Sequence, residues 1–246
     1  MAAIHVAVIN ASTVLSDQAV KDALPSLQIQ VHRDFAPVWG VDAELHLVGR
    51  NRNPPNGAWW LVLHDNAAKA GEEGYHDLTN EGLPMGKVFA ETDLKEGDTW
   101  TVTASHELLE MLADPEVNLS VMVERRAGGS YHQLLYAYEV CDACEDDQFG
   151  YRIDGTLVSD FVHPAWFETF HPEGARLDHG RHITKPLELL PGGYIAIYKV
   201  YSGKGWTQLD AKTGMSPNGR STRSGGRRER RCKPRHEWLR SKPRCT

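Results

Sequence analysis

Cysteine is scarce in this 246-residue sequence, with four residues at positions 141, 144, 232 and 245. That number is too small for a disulfide scaffold in a chain of this size. Cys141 and Cys144 form a C-x-x-C pair, a spacing found in redox motifs and in half of a zinc site. A thioredoxin-type motif opens a helix after a strand, whereas this pair runs into the acidic segment EDDQFG. We therefore expect the two thiols to pack in the interior or to form a structural pair.

Long apolar runs are absent as well. No stretch approaches the roughly 20 apolar residues that span a bilayer. The N-terminal MAAIHVAVINAS alternates like a short strand, without the basic start and long apolar run of a secretory signal. The sequence therefore predicts a soluble, cytoplasmic protein without a membrane partner. Its 41% hydrophobic content is sufficient for one large buried core.

Basic residues are distributed unevenly. Residues 216–246 contain 11 Lys and Arg against 2 Asp and Glu, whereas residues 1–215 contain 16 against 31. Because the first segment would repel a polyanion, any nucleic-acid binding is expected of the tail alone. We predict a folded domain over 1–215 and a disordered basic tail over 216–246. Three interpretations of the tail stay open: an anchor for nucleic acid or an acidic surface, a segment that folds back on the acidic domain, or an extension without function.

Hydrophobic periodicity predicts an α+β fold with a β-rich C-terminal part. Strand-like alternation covers 4–10, 43–49, 58–66, 86–93, 133–140, 150–160 and 193–200, and helical spacing covers about 17–35 and 98–114. Ser16 suits a helix cap, and Pro25 would either kink the first helix or mark its true first turn; this helix is expected to end before Pro37. Gly and acidic residues bound 86–93, which favours an edge strand there.

The second predicted helix carries the string His106-Glu107-Leu108-Leu109-Glu110. Residues four apart on a helix lie one above the other, so the side chains of His106 and Glu110 are expected to reach one ion. The pattern is that of H-E-x-x-H metalloproteases, with Glu in the second ligand position and Glu107 as general base. A carboxylate ligand keeps zinc as the expected metal but makes manganese and calcium better competitors. The alternative is a solvated helix face with no ion.

An open zinc site needs a third protein ligand. The densest downstream acidic segment is YEVCDACEDD, at residues 138–147. Glu139, at the end of a predicted strand, is the preferred ligand, followed by Asp142 in the turn after it. Asp114 lies on the same helix face as His106 but is expected to close the turn before Pro115.

The order of elements before this helix, together with HELLE, resembles the zincin metallopeptidase superfamily. Two motifs, His106-Glu107-Leu108-Leu109-Glu110 and Glu139-Val140-Cys141-Asp142-Ala143-Cys144, are also similar to those of the phosphate-induced protein 1 (EXORDIUM-like) family. The resemblance covers residues 4–170 as architecture. It implies a twisted mixed sheet with a substrate-binding edge strand and an active-site helix behind it. It also implies that His106, Glu110 and an acid of the second motif bind metal, with Glu107 as the base.

Two further segments have a functional and a structural interpretation. His76, in GYHDLT, is a candidate for stabilising an oxyanion, although a loop His that bonds Asp77 or the backbone is the commoner arrangement. The segment SDFVHPAWFETFHP, residues 159–172, is assigned either to the wall of a substrate pocket or to the core, where aromatic residues near Pro more often lie.

Three functional hypotheses follow. The first is a zinc-dependent hydrolase of peptide or protein substrates, in which the edge strand 86–93 aligns an extended peptide. The second is a non-catalytic module of the same fold with a structural ion. The third is nucleic-acid association through the basic tail.

Overall fold

The computed structural model describes residues 3–49, 52–66, 73–127, 130–201 and 205–211, and the predicted basic tail lies outside these ranges. The α+β class is confirmed. The helices are α1 Asp17–Ile29, α2 Ala36–Trp39, α3 Ala90–Glu96 and α4 Trp100–Ala113. The strands are β1 Ile4–Asn10, β2 Ala43–Val48, β3 Trp59–His64, β4 Gly74–Leu78, β5 Pro84–Phe89, β6 Ser120–Ala127, β7 Ser130–Ala137, β8 Tyr151–Ile153, β9 Thr156–Val158, β10 Tyr194–Lys199 and β11 Trp206–Asp210. Within the described ranges, no helix is long and apolar enough to cross a membrane.

A five-stranded mixed sheet in the order β2-β1-β3-β5-β4 forms the centre of the N-terminal half. The first four strands in that order are parallel, and β4 pairs antiparallel with β5. Strands of a parallel sheet are commonly apolar on both faces, and Leu61, Val62 and Leu63 of β3 are all buried. One face packs against the main core, and a smaller cluster of Ala7, Val48 and Ala58 lies on the other face.

The predicted edge strand 86–93 was placed wrongly. Strand β5 lies inside the sheet, because Trp60 of β3 pairs with Met85 on one side and Gly74 of β4 pairs with Val88 on the other. The strand at this edge of the sheet is β4, where we expected a loop. Residues 90–93 belong to helix α3, where the acidic side chains that suggested an edge occupy the first helical turn.

Helix α1 ends at Ile29, earlier than predicted, but helical backbone continues beyond the predicted end to Trp39. Ser16 caps it by accepting a hydrogen bond from the Ala19 amide, and Pro25 lies inside it. Residues 30–35 then form a π-helical turn, and helix α2 continues to Trp39 rather than stopping before Pro37. Pro37 fits because it occupies the first turn of α2, where backbone N–H groups need no intrahelical partner.

Helix α4 is the buried element that positions the candidate site. It begins and ends as predicted, with Thr99 at the N-cap position and Asp114 at the C-cap position. Every residue from Thr101 to Ala113 is buried, because strands β4 and β5 contact one side of the helix and β9 another. Asp114 closes the following turn by accepting hydrogen bonds from the Asn118 and Leu119 amides. The polar side chains of α4 therefore point into the protein rather than into solvent, and the solvated-face alternative is wrong.

The C-terminal half is rich in strands, as predicted. Strands β11, β10, β7 and β6 form an antiparallel sheet in that order. The predicted strand 150–160 is instead the short hairpin β8–β9, and the predicted strand 133–140 is β7, which ends before Glu139.

Candidate metal centre

Helix α4 brings His106 and Glu110 together as the four-residue spacing predicted. The Nε2 atom of His106 lies 3.1 Å from Oε1 of Glu110. Glu107 follows His106 and turns toward the neighbouring strand β4, where its Oε1 atom lies beside Gly74. All three side chains are buried, so the helix presents one imidazole and two carboxylates to the interior.

His76 enters the same cluster from strand β4. Its Nδ1 atom lies 3.4 Å from Oε2 of Glu110 and 3.9 Å from Oε2 of Glu107. Its Nε2 atom lies 3.7 Å from Oε2 of Glu139. The prediction that His76 lies in a loop is wrong, because it lies in strand β4. Side chains alternate along a strand, so that of His76 points inward and that of Asp77 points to the opposite face.

Both acids of the second motif reach the cluster, at different ends. Glu139 follows β7 and faces His76, whereas Asp142 begins a short 3-10 helix and places Oδ1 3.3 Å from Nε2 of His106. Between them, the amide of Cys141 donates a 3.2 Å hydrogen bond to Oε1 of Glu110. This backbone contact ties the segment after β7 to helix α4.

The cluster contains two sets of side chains whose donor atoms lie within 4.8 Å of one another. One set is His106, Glu110 and Asp142, and the other is His76, Glu110 and Glu139. Ligands about 2.1 Å from a tetrahedral ion lie about 3.4 Å apart. The close imidazole–carboxylate contacts of the cluster measure 3.1 to 3.7 Å, which is near the separation of two ligand atoms that share an ion. His106 makes its contacts with Glu110 and Asp142 through Nε2, whereas His76 faces Glu110 with Nδ1 and Glu139 with Nε2.

The charge of the cluster also fits a cation. The pKa of Asp142 is raised to about 8, chiefly by burial and then by the Glu110 carboxylate; Glu139 acts in the same direction and His106 in the opposite one. Several ionised carboxylates cannot share a dry interior without positive charge nearby. A divalent ion bound by these oxygens would supply that charge in place of protons.

Two glycines of strands β4 and β5, Gly74 and Gly86, allow helix α4 to pack closely against the sheet. A Cβ on Gly86 would lie 3.0 Å from the Leu61 side chain and 3.3 Å from Cβ of Glu107. Gly86 pairs with His76 across the β4–β5 ladder. A glycine in a strand marks close approach of another element, and that signal was present in GYHDL and PMGKVF.

The C-x-x-C thiols lie next to the cluster but are not among its metal-ligating groups. Cys141 and Cys144 are buried and form no disulfide bond with each other. The prediction that they pack in the interior is confirmed, and the alternative prediction of a structural pair is wrong. Burial raises the pKa of both thiols, and nearby carboxylates act in the same direction. Neither thiol is therefore activated as a nucleophile.

The first part of the aromatic segment 159–172 belongs to the core rather than to a pocket wall, whereas Phe170 in its second part is exposed. Trp166 is fully buried, and its indole N–H donates to the Glu188 carbonyl oxygen. Nearby, Asp160 and Asp178 lie close to His182, and the two carboxylates also accept backbone N–H groups. These backbone hydrogen bonds hold the 160–183 loop in place. They explain why the two carboxylates are buried, and no bound ligand is needed for that explanation.

No protein-family model matches this sequence, and neither a curated protein nor a solved structure matches it. The resemblance to zincins and to the EXORDIUM-like family therefore depends on the two short motifs and the arrangement of their side chains.

Proposed function

We propose that the chain is a metal-dependent hydrolase, with zinc as the expected ion and manganese or calcium as alternatives. His106, Glu110, Glu139 and Asp142 would hold the metal. The observation that carries this proposal is the convergence of both motifs: helix α4 supplies an imidazole and a carboxylate, and the segment after β7 supplies two more carboxylates within 3.7 Å of an imidazole nitrogen.

A bound divalent ion would supply Lewis-acid polarisation of a water molecule and of a substrate carbonyl. Glu107 is the group positioned to take the proton from that water and to return it to a leaving amine. Its carboxylate is buried, and its Oε2 atom lies 3.9 Å from Nδ1 of His76 beside the metal-ligating set. His76, whose Nδ1 atom faces Glu107 and Glu110, would donate a hydrogen bond to the developing oxyanion.

Strand β4 supports a peptide as the substrate class. It is the last strand of the described five-stranded sheet and carries His76. An extended peptide that pairs with its outer edge would run beside the cluster, and the backbone ladder would provide affinity with little dependence on sequence. In this proposal β4 replaces the segment 86–93 as the aligning strand.

One observation favours a second candidate, a non-catalytic module with a structural ion. All six polar residues of the cluster, His76, His106, Glu107, Glu110, Glu139 and Asp142, are at most 3% exposed. A structural ion is typically enclosed by protein ligands, whereas a catalytic ion keeps a position open for water. The two candidates differ in whether Glu107 affects turnover.

The test is a comparison of the metal-loaded wild-type chain with Glu107→Gln on a broad peptide library. We expect Glu107→Gln to keep its metal and to lose about 10²- to 10⁴-fold in turnover. Glu44→Gln, which makes the same chemical change at an exposed position of β2, is the matched control and should retain activity. Equal turnover in all three proteins would exclude hydrolysis at this cluster and leave the structural ion.

Nucleic-acid association through residues 216–246 remains a prediction, and that segment lies outside the described residues. Its support is the concentration of Lys and Arg in the sequence of the tail. Deleting residues 216–246 should abolish retention on DNA at low salt. Unchanged retention would reject this function.

A further inference from the structure

Glu110 faces two histidines with its two carboxylate oxygens. Oε1 lies 3.1 Å from Nε2 of His106, and Oε2 lies 3.4 Å from Nδ1 of His76. The Cys141 amide donates to Oε1 and fixes the orientation of the carboxylate. The two carboxylate oxygens of Glu110 therefore face two different imidazoles.

The remaining acids divide in the same way. Asp142 lies 3.3 Å from His106, and Glu139 lies 3.7 Å from His76. Each half of the cluster thus has one imidazole, one carboxylate of its own and one oxygen of Glu110. The two imidazoles come from different elements, β4 and α4. The cluster therefore consists of two similar sets of ligands that share the Glu110 carboxylate.

We propose that the cluster is a dinuclear metal centre in which Glu110 bridges two divalent ions. His106 and Asp142 would complete the ligands of one ion, and His76 and Glu139 those of the other. A carboxylate bridge holds two ions roughly 3.5–4 Å apart, the separation used by two-metal hydrolases. This inference rests on the proposed metal-binding function and changes the role of His76 from an oxyanion donor to a metal ligand.

The charge balance agrees with two ions. Glu107, Glu110, Glu139 and Asp142 contribute four negative charges when ionised, and all four are buried. Two divalent ions cancel that charge with both imidazoles neutral, as metal ligands require. One ion leaves two uncompensated charges in a dry site, which is costly.

Zinc stoichiometry of the reconstituted full chain, measured by native mass spectrometry and elemental analysis, tests the proposal. We expect two zinc ions in the wild type, one in His76→Ala and one in His106→Ala. Glu110→Ala should lose tight binding of both. His46→Ala, the same change at an exposed histidine of β2, should keep two. A wild type that binds one ion or none, or a His76→Ala protein that still binds two, would overturn the bridge.

A second measurement needs no variant and covers the case in which a substitution prevents folding. Manganese-loaded wild type should give the exchange-coupled electron paramagnetic resonance signal of a carboxylate-bridged pair. An isolated six-line signal at saturating manganese would contradict the proposal. The two proposals can fail separately. A protein that binds two ions but shows no Glu107-dependent turnover would reject the hydrolase and keep the bridge. A protein that binds one ion and shows such turnover would reject the bridge and keep the hydrolase.

Discussion

Gly74 and Glu107 lie so close together that a Cβ on Gly74 would stand 2.6 Å from Oε1 of Glu107. The same added Cβ would lie 2.8 Å from the Lys87 carbonyl oxygen, so two neighbouring groups leave no room for it. One of them is backbone of the paired strand β5 and cannot move cheaply. The glycine is therefore required by the approach of helix α4 to strand β4.

We predict that Gly74→Ala displaces the Glu107 carboxylate and destabilises the protein by about 1–3 kcal/mol, the usual cost of overpacking. Turnover should fall with the displacement of the base. Urea unfolding and the peptide assay measure the two effects. Gly49→Ala is the matched control, because the nearest atom to its Cβ is Oδ2 of Asp17 at 4.0 Å. Wild-type stability and turnover in Gly74→Ala would show that the helix has room to move.

Asp93 of helix α3 should make stability fall as pH rises. Burial raises its pKa from 3.8 to about 8, with the Glu73 carboxylate as the next cause. The folded state therefore holds a proton that the unfolded state releases above pH 3.8, and the stabilisation is lost as pH rises through about 8. Asp93→Asn removes this linkage and should flatten the pH dependence of the urea-unfolding free energy between these values. The same slope in wild type and variant would contradict the assignment.

The buried thiols should be unreactive in the folded protein. In a chain with Cys232→Ser and Cys245→Ser, we expect Ellman's reagent to label neither Cys141 nor Cys144 under native conditions, because burial raises both pKa values. Guanidinium should release both thiols for labelling. Rapid native labelling of either one would revive a redox role for the C-x-x-C pair.

Trp166 should contribute to stability and not to metal binding. Trp166→Ala removes a fully buried ring and its hydrogen bond to Glu188. We therefore expect the free energy of unfolding, measured in urea, to fall by about 3–5 kcal/mol. Zinc content of the folded variant should equal that of the wild type. Phe170→Ala, at a side chain that is 95% exposed, should change stability by less than about 0.5 kcal/mol. Loss of zinc from folded Trp166→Ala would instead place the 159–172 segment at the site.

Local patterns in the sequence were enough to locate the elements with strong periodicity. Strand β1 has the predicted bounds, and helix α4 ends at Ala113, just before Asp114 and Pro115. The convergence of His106 and Glu110 follows from helix geometry alone. Strand β4 escaped detection because GYHDL is short and lacks β-branched residues, and only its pairing with β5 makes it a strand.

The sequence by itself determined which chemical groups belong together on helix α4, because a spacing of four residues has only one geometric meaning on a helix. It also identified the acidic segment after β7. Only the tertiary structure decided that His76 joins these groups, that Glu139 and Asp142 face different imidazoles, and that β4 rather than β5 is the outer strand. Those outcomes depend on contacts between residues distant in the chain, which strand register and helix packing create and local patterns do not encode.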